Sequence, residues 1–330
     1  MVNKQEHSLY SKVNMTHSLV SILIPVYNVE QYLEQCLDSV VRQTYQELQI
    51  VLIDDGSKDG SFDICQNYAN KDSRIEVYHQ ENQGVATTRN HLLEKIKGDY
   101  VLFVDADDWI ELDMIETMLN LSLKYDADIV NCQNVTNDDI CSKNHTKIEL
   151  WSQEDTIYHF LRHIIFNGSL WNKLIRTRLL HGLKFHSEIS YGEDALFCWQ
   201  VLQRIKTVVR TPNEYYHYRM NDTSLSHRQY DAKHMSGHLV WKQISEDTIQ
   251  LWPQYSTIAS ANFAISDMWQ LYYAALSNYP KNSKIKEFQL HVRKNLLLIL
   301  KSRLLNKKKF IYAIIISYNY CIGRKLTNIL

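Results

Sequence analysis

Short apolar runs alternate with helix-like stretches over the first 135 residues, and this alternation limits the fold more than any other feature. Apolar runs typical of buried strands cover 20–26, 48–53, 75–79, 100–104 and 129–133. Between them, apolar residues recur with helical spacing over 31–43, 61–71, 85–96 and 111–124. Strands that are joined through helices pair mainly in parallel. The sequence therefore predicts an α/β fold built on a mainly parallel central sheet.

Beyond about residue 141 the alternation stops and helical patterns predominate. They cover 153–166, 194–205, 235–276 and 284–305. No stretch rich in Pro, Gly or Ser separates the two halves. We expect three parts, which are a polar extension over 1–19, an α/β domain over 20–230 and a helical, basic C-terminal region over 231–330.

Composition and cysteine usage indicate a cytoplasmic globular protein. Hydrophobic residues make up 45% of the chain and charged residues 22%, as in ordinary globular domains. The six cysteines include no Cys-x-x-Cys pair, so neither a disulfide framework nor a zinc ribbon is indicated. The first nineteen residues lack an apolar core, and we expect no secretory signal there.

Polar residues follow three of the predicted strands. They are Tyr27-Asn28, Asp54-Asp55 and Asp105-Ala106-Asp107-Asp108. Because the carboxyl ends of parallel strands share one edge of a sheet, we expect these groups to converge on a ligand crevice. Two carboxylates that are separated by a single residue, such as Asp105 and Asp107, repel each other. Mg²⁺ or Mn²⁺ would relieve that repulsion while binding phosphate oxygens. The alternative is a strand end whose aspartate caps the next helix.

Four segments in this order resemble the family-2 nucleotide-sugar glycosyltransferases with the A-type (GT-A) fold, of the bacterial surface-polysaccharide or glycoprotein type. The segments are VSILIPVYN at 20–28, IDDGSKDGS at 53–61, NQG through RN at 82–90 and FVDADD at 103–108. Many relatives have alanine where this chain has Thr88, a small change. The resemblance covers roughly 20–194 and implies that 20–230 is the catalytic domain.

The resemblance also implies roles for individual residues. Tyr27 and Asp55 match the positions that contact uracil, and Asp105 and Asp107 match the Asp-x-Asp pair that meets ribose and the metal. The full set of residues implied to bind the nucleotide sugar is Pro25, Tyr27, Asp55, Arg89, Asp105 and Ala106. From the residues alone, a solvated charge on a helix is the better interpretation of Arg89.

A Glu-Asp pair at Glu193-Asp194 opens a predicted helix. Acids in a first helical turn favour the helix dipole, which is the structural alternative. Inverting sugar transfer also needs one carboxylate that takes the proton of the acceptor hydroxyl. The family places its base in such a pair, and Asp194 matches its second position.

Further residues are candidates for acceptor or phosphate contacts. They are Trp171, Lys173, Glu193, Arg219 and His227. Trp171 and Lys173 lie in a Trp-Asn-Lys-Leu segment seen in bacterial members, and the alternative is a core tryptophan and a surface lysine. Arg219 and His227 lie in or after a segment that relatives use as a lid.

The implied activity is inverting transfer of a hexose from a UDP-sugar to a hydroxyl of a glycan, glycoprotein or lipid-linked acceptor, with Mn²⁺ or Mg²⁺ assisting departure of the diphosphate. One alternative is a nucleotidyltransferase with a similar sheet, although Pro25 and its neighbours replace the Gly-rich phosphate loop of such enzymes. The other alternative is a non-catalytic sugar-binding relative.

The last fifty residues are strongly basic. Residues 281–330 hold twelve Lys or Arg and one acid, a formal charge of +11, whereas the whole chain carries −1. Two interpretations of this region are open. It packs on the rest of the protein or on another copy of the chain, or it contacts the inner face of the cell membrane peripherally. Long aliphatic residues between the charges argue against nucleic acid as a partner.

Overall fold

The computed structural model describes residues 18–136, 147–163, 168–220, 230 and 232–327. Within them, nine strands form one sheet. The strands are β1 Val20–Val26, β2 Leu48–Asp54, β3 Ile75–His79, β4 Tyr100–Phe103, β5 Trp109–Ile110, β6 Ile129–Thr136, β7 Glu149–Ser152, β8 Lys173–Arg176 and β9 Thr207–Tyr218.

Twelve α-helices accompany the described strands. They are α1 Glu30–Val41, α2 Ser61–Ala69, α3 Val85–Glu94, α4 Met114–Tyr125, α5 Gln153–Arg162, α6 Glu193–Leu202, α7 Gly237–Leu251, α8 Ser256–Leu276, α9 Ser283–Lys294, α10 Leu296–Ser302, α11 Lys307–Tyr318 and α12 Tyr320–Lys325.

The strand order is β3-β2-β1-β4-β8-β6-β9-β5, and β7 also pairs with β9. Strands β1, β2, β3, β4, β6 and β9 run in one direction, so the sheet is mainly parallel, as predicted. Strand β8 lies between β4 and β6 and runs antiparallel to both. It therefore joins β3-β2-β1-β4 to β6-β9-β5 in one continuous sheet.

Successive residues of the central strands are buried on opposite faces of the sheet. In β1, Ile22 and Ile24 enter the core that α1 and α4 cover, whereas Leu23 enters the core that α5 and α6 cover. Burial on both faces explains the continuous apolar runs, because a strand exposed on one side would alternate with polar residues.

The second half departs from the sequence-based expectation in three respects. Strands β7, β8 and β9 belong to the sheet, although the alternation of strands and helices was expected to stop near residue 141. The helical pattern over 235–276 is divided at Trp252, because Pro253 lacks the N–H that a continuous helix needs. The pattern over 284–305 is divided at Asn295 into α9 and α10.

The C-terminal helices form a third core around α8. Residues of α8, α9 and α11 pack there, including Met268, Phe288 and Ile316. The buried carboxylate of Asp267 lies 2.6 Å from Nδ1 of both His238 and His291, which ties α7 and α9 to α8. No helix among the described residues is long and apolar enough to cross a bilayer.

Candidate active site at the carboxyl edge of the sheet

The three polar strand ends meet at one edge of the sheet, as the sequence predicts. Strand β1 is paired in parallel with β2 on one side and with β4 on the other, with Val26 opposite Asp54 and Leu23 opposite Phe103. The residues that follow these strands therefore lie side by side. This edge is where open α/β sheets bind ligands.

Tyr27 and Pro25 lie at the end of β1. The Tyr27 side chain is 42% exposed, whereas Pro25 is half-buried within the strand. Behind Tyr27, the Asn28 N–H donates to Ser57 Oγ at 3.0 Å and Asn28 Oδ1 accepts from the Lys58 N–H at 2.8 Å. The exposed ring thus stands on a turn that is fixed to the loop after β2.

Asp55 is buried and organises the start of α3. Its carboxylate accepts the N–H groups of Gln83 and Gly84, each at 2.9 Å, and the Gln80 side-chain amide at 2.7 Å. A carboxylate offers about four acceptor positions, so these three bonds leave room for one further donor. Gly56 follows with a φ of +72°, and a Cβ there would lie 2.9 Å from Asn82 N, which explains the glycine.

The segment Asp105–Asp108, called here the metal-motif loop, is held by β9. The Asp105 N–H donates to the Tyr216 hydroxyl at 3.1 Å, and that hydroxyl donates to Asp108 at 2.7 Å. Asp105 and Asp107 are half-buried, whereas Ala106 and Asp108 are buried. Burial and the charge of Asp105 raise the pKa of Asp108 to about 8, so the Asp108 carboxyl holds a proton at neutral pH.

Arg219 braces the metal-motif loop from the side. Its guanidinium lies between the rings of Tyr32 and Trp109, at 4.8 and 4.7 Å, and its Nε donates to the Asp107 carbonyl at 2.8 Å. Its backbone N–H donates to Asp108 Oδ1 at 2.8 Å. The side chain predicted to contact phosphate or acceptor therefore has its donors directed at the protein.

Arg89 joins the metal-motif loop to the Glu193-Asp194 pair. Its Nη1 donates to Glu193 Oε1 at 2.8 Å and its Nη2 to Asp105 Oδ1 at 3.3 Å, and its side chain is largely buried. These contacts contradict the reading of Arg89 as a solvated helix charge. The acidic residues of two distant segments are thereby brought to one place.

Asp194 is the second residue of α6, which follows Gly192, a glycine in the left-handed region with a φ of +83°. Its carboxylate is half-buried and accepts the Ala195 N–H at 2.8 Å. Burial and the neighbouring Glu193 raise the pKa of Asp194 to about 6, and the charge of Arg89 partly offsets the rise. A carboxylate with a raised pKa is a stronger proton acceptor than an ordinary aspartate.

The position of Lys173 differs from both sequence-based expectations, which were a contact with acceptor or phosphate and a surface lysine. Its side chain is fully buried, and its ammonium donates to the Ser169 carbonyl at 2.6 Å and to Asn172 Oδ1 at 2.8 Å. Burial lowers the pKa of this lysine. A side chain enclosed in this way does not reach a substrate phosphate, and it supports the segment between Leu170 and β8 instead.

Trp171 is half-buried and stacks on Tyr216, with ring centroids 4.5 Å apart, and on Tyr218 at 5.7 Å. It therefore packs against the tyrosine that holds the metal-motif loop. His227 lies outside the described residues.

Sequence reasoning missed the roles of Tyr216 and Asp108. Tyr216 is fully buried, and its hydroxyl connects the Asp105 N–H to the Asp108 carboxylate. A signal was present, because the alternating spacing of Tyr216 and Tyr218 places both on one face of a strand.

Comparison with known proteins identifies the family of the chain. Residues 21–184 match the model of the glycosyl transferase family 2. EpsH of Bacillus subtilis is 35% identical over 229 residues, which cover 66% of this chain and 65% of EpsH. The glycosyltransferase GlyG of Streptococcus pneumoniae is 31% identical over 227 residues, which cover 64% of this chain and 74% of GlyG. The chain thus spans less than two thirds of EpsH.

A solved structure has the same fold. TarS of S. aureus, residues 1–349 in complex with UDP-GlcNAc, superposes with a TM-score of 0.72 at 19% identity, over 94% of this chain and 90% of that structure. The predicted GT-A architecture and the resemblance to family 2 are therefore confirmed. On these matches and on the convergence of its polar strand ends, the chain belongs to glycosyltransferase family 2.

Proposed function

We propose that this glycosyltransferase moves a hexose from a UDP-sugar to a hydroxyl of a glycan, glycoprotein or lipid-linked acceptor, with inversion at the anomeric carbon. The observation that carries the proposal is the connection Asp105–Arg89–Glu193, which holds Asp194 beside the Asp105–Asp107 pair. A donor sugar bound through its diphosphate at that pair would lie next to a carboxylate suited to accept a proton.

For the donor, we assign the nucleotide to the β1 and β2 strand ends. The exposed ring of Tyr27 offers a face for the uracil, and the remaining acceptor position of Asp55 suits the imide N–H of that base. TarS was crystallised with UDP-GlcNAc, which supports a UDP-sugar as donor. Pro25 and Ala106 would shape the walls of this pocket.

For the metal, Asp105 and Asp107 would hold Mn²⁺ or Mg²⁺. The donor set fits, because such ions take one or two carboxylates from protein and further oxygens from phosphate and water. No cluster of three or more His, Cys, Asp or Glu able to hold a metal occurs in the described part of the chain, so the proposal rests on the two carboxylates alone. When bound, the ion would neutralise charge on the departing diphosphate.

For the chemistry, Asp194 would accept the proton of the acceptor hydroxyl while that oxygen attacks the anomeric carbon. Glu193, bonded to Arg89, would position Asp194 and the start of α6. Trp171 lies against β9, where its exposed edge is a candidate contact for the acceptor sugar.

A panel of UDP-sugars tests the proposal. We expect hydrolysis of one donor in the presence of Mn²⁺, loss of that activity with EDTA, and an α-linked donor giving a β-configured product by NMR. A retained anomer would contradict the role of Asp194. Donor binding without turnover for any sugar or acceptor would favour the non-catalytic alternative. Release of diphosphate from UTP in the presence of a sugar 1-phosphate, with no UDP released from any UDP-sugar, would favour a nucleotidyltransferase, which family membership argues against.

A further inference from the structure

Helices α11 and α12 carry apolar residues on two sides. On the inner side, Tyr312, Ala313 and Ile316 are buried against α8 and α9. A helix that packs by one side normally presents polar residues on the other. Here the outer side presents large apolar residues that are between 37% and 61% exposed among the described residues, with the Arg293 guanidinium 4.5 Å from the centroid of the Tyr318 ring. They are Ile311, Ile314, Tyr318 and Ile322, called here the outer stripe.

The exposure of the outer stripe is high for residues of this size. The side chain of Ile311 is 55% exposed and that of Tyr318 is 61% exposed. Positions 311, 314 and 318 are three or four residues apart, so they line one side of α11. The neighbouring α10 adds Leu297 and Leu300, which are also exposed.

Cations flank the outer stripe at both ends. Lys307 and Lys308 are exposed at the start of α11, and Arg324 and Lys325 are exposed at the end of α12. No acidic residue follows Glu287 in the chain. Lys309 lies 5.2 Å from the centroid of the Trp269 ring of α8, whereas Lys307 and Lys308 are exposed in a first helical turn, where lysines oppose the helix dipole.

We propose that the outer stripe and its flanking cations dock on an anionic lipid bilayer, with the apolar side chains entering the headgroup boundary. Apolar residues between lysines and arginines are the pattern that binds such an interface. A second copy of this chain fits less well, because a symmetric contact through the same surface would bring two strongly basic regions together.

The surface is joined to the catalytic domain through packed helices. Helix α8 packs against α10, α11 and α12 and also against α7, and α7 packs against α6, which begins at Glu193. Docking would therefore hold the start of α6 at a fixed orientation toward the bilayer. The use of this orientation to meet a lipid-linked acceptor rests on the proposed function, whereas the membrane contact itself does not.

Vesicle sedimentation with the full chain tests the contact. We expect binding to vesicles that contain phosphatidylglycerol and weak binding to pure phosphatidylcholine. NaCl at about 0.5 M should release the protein, because the electrostatic screening length is then only about 4 Å. Lys307→Gln with Lys308→Gln should weaken binding roughly 25-fold, since each cation near an anionic surface contributes about fivefold. Ile311→Ser with Tyr318→Ser should weaken it roughly tenfold or more.

Matched controls separate this surface from general effects. Leu239→Ser with Ile249→Ser changes two side chains on α7 that are 50% and 48% exposed, and should leave binding unchanged. Lys71→Gln with Lys242→Gln removes two exposed lysines elsewhere and should weaken binding less than threefold, an order-of-magnitude limit for charges away from the surface.

Three outcomes would overturn the proposal. They are no binding by the wild type, equal losses in the stripe variants and the controls, and self-association in sedimentation velocity that the stripe variants abolish without vesicle binding. The last outcome would assign the outer stripe to a contact between copies. The charge variant alters only exposed side chains, so it reports on binding even if the apolar variant is less stable.

Discussion

The metal-motif loop and the start of α6 both bring carboxylates to the same cleft, but their charges are balanced in different ways. In the loop, Asp108 is held by neutral donors, namely the Tyr216 hydroxyl and the Arg219 N–H. At the start of α6, Glu193 is paired with the guanidinium of Arg89.

This difference indicates two chemical tasks. The hydrogen bonds from the Arg219 N–H and the Tyr216 hydroxyl favour the ionised form of Asp108, but burial and the charge of Asp105 outweigh them and raise its pKa to about 8. A divalent cation at Asp105 and Asp107 would offset the charge of Asp105 and lower that pKa. The pairing of Glu193 with Arg89 leaves Asp194 with a pKa of about 6, so it is ionised at neutral pH and still able to accept a proton. We therefore expect the two segments to respond differently to the same kind of substitution.

The largest effect is expected at the start of α6. Asp194→Asn keeps the shape of the side chain and removes the base, so the rate of transfer should fall by roughly 10²–10⁴ while UDP binding stays near normal. Single-turnover kinetics and calorimetry with UDP measure the two quantities. Glu188→Gln, an exposed acid in the loop before α6, is the control and should be close to wild type. If Asp194→Asn lost UDP affinity and transfer rate to the same degree, Asp194 would not differ in its task from the metal-motif loop.

A loss that depends on metal is expected in the loop. Asp107→Asn should lower the rate by roughly 10²–10³, because several kcal/mol of charge stabilisation by the metal would be weakened. A titration with Mn²⁺ should show weaker apparent metal affinity, which Asp194→Asn should not show. Asp126→Asn removes an exposed carboxylate in a left-handed turn that Asn tolerates, and it should leave the titration unchanged. Full activity of Asp107→Asn in EDTA would rule out the assigned metal role.

Substitution of Arg219 should lower activity less than substitution of Asp107, because Arg219 contacts the backbone of the metal-motif loop and not the proposed metal. Arg219→Gln removes the brace on the Asp107 carbonyl and the stacking between Tyr32 and Trp109, and should weaken apparent metal affinity by roughly 10–100-fold, as for residues that orient ligands. Arg219→Lys keeps the charge and should recover part of the loss. If lysine recovered nothing while the Michaelis constant for the sugar donor rose sharply, Arg219 would contact the diphosphate directly.

The smallest effect concerns pH and the residue that joins the two segments. Asp194 must be ionised to act as a base, so kcat/KM should fall as the pH drops through about 6. The charge of Arg89 lowers the pKa of Asp194, and Arg89→Gln should therefore move this acidic limb upward by about one unit. The rate would fall about fivefold at pH 6, and little near pH 8. Arg89→Lys keeps the charge and should restore the position of the limb, whereas an unshifted limb in Arg89→Gln would show that the two segments are electrostatically separate.

The loop was more accessible to sequence reasoning than the start of α6. Asp105 and Asp107 follow a buried strand directly, and strand pairing alone brings them beside Tyr27 and Asp55. Local periodicity carries that information, since a parallel strand has a fixed direction. The family resemblance supplied Asp194, but nothing in the spacing of the chain indicates that Arg89 reaches Glu193.

Side-chain direction was the information that the sequence lacked. Lys173 begins β8, and a one-residue change in register would move its side chain to the other face of the sheet. The pairing of β8 with β4 and β6 fixes that register and encloses the ammonium. Strand β8 has only four residues, so its apolar run is too short to predict a strand from the sequence. Pro253, in contrast, was a readable signal for the break between α7 and α8.

The position of β8 also has a consequence for the order in which the chain can fold during synthesis. Val101 of β4 pairs with Ile175, so the outer edge of β4 stays open until the ribosome has added more than seventy further residues. Open strand edges invite pairing with other chains, and distant pairings form slowly. The strand that precedes the first metal-motif aspartate is therefore exposed to misassembly in the nascent protein. A chain released before residue 173 would present this edge permanently, and aggregation rather than a stable half-domain is its expected fate.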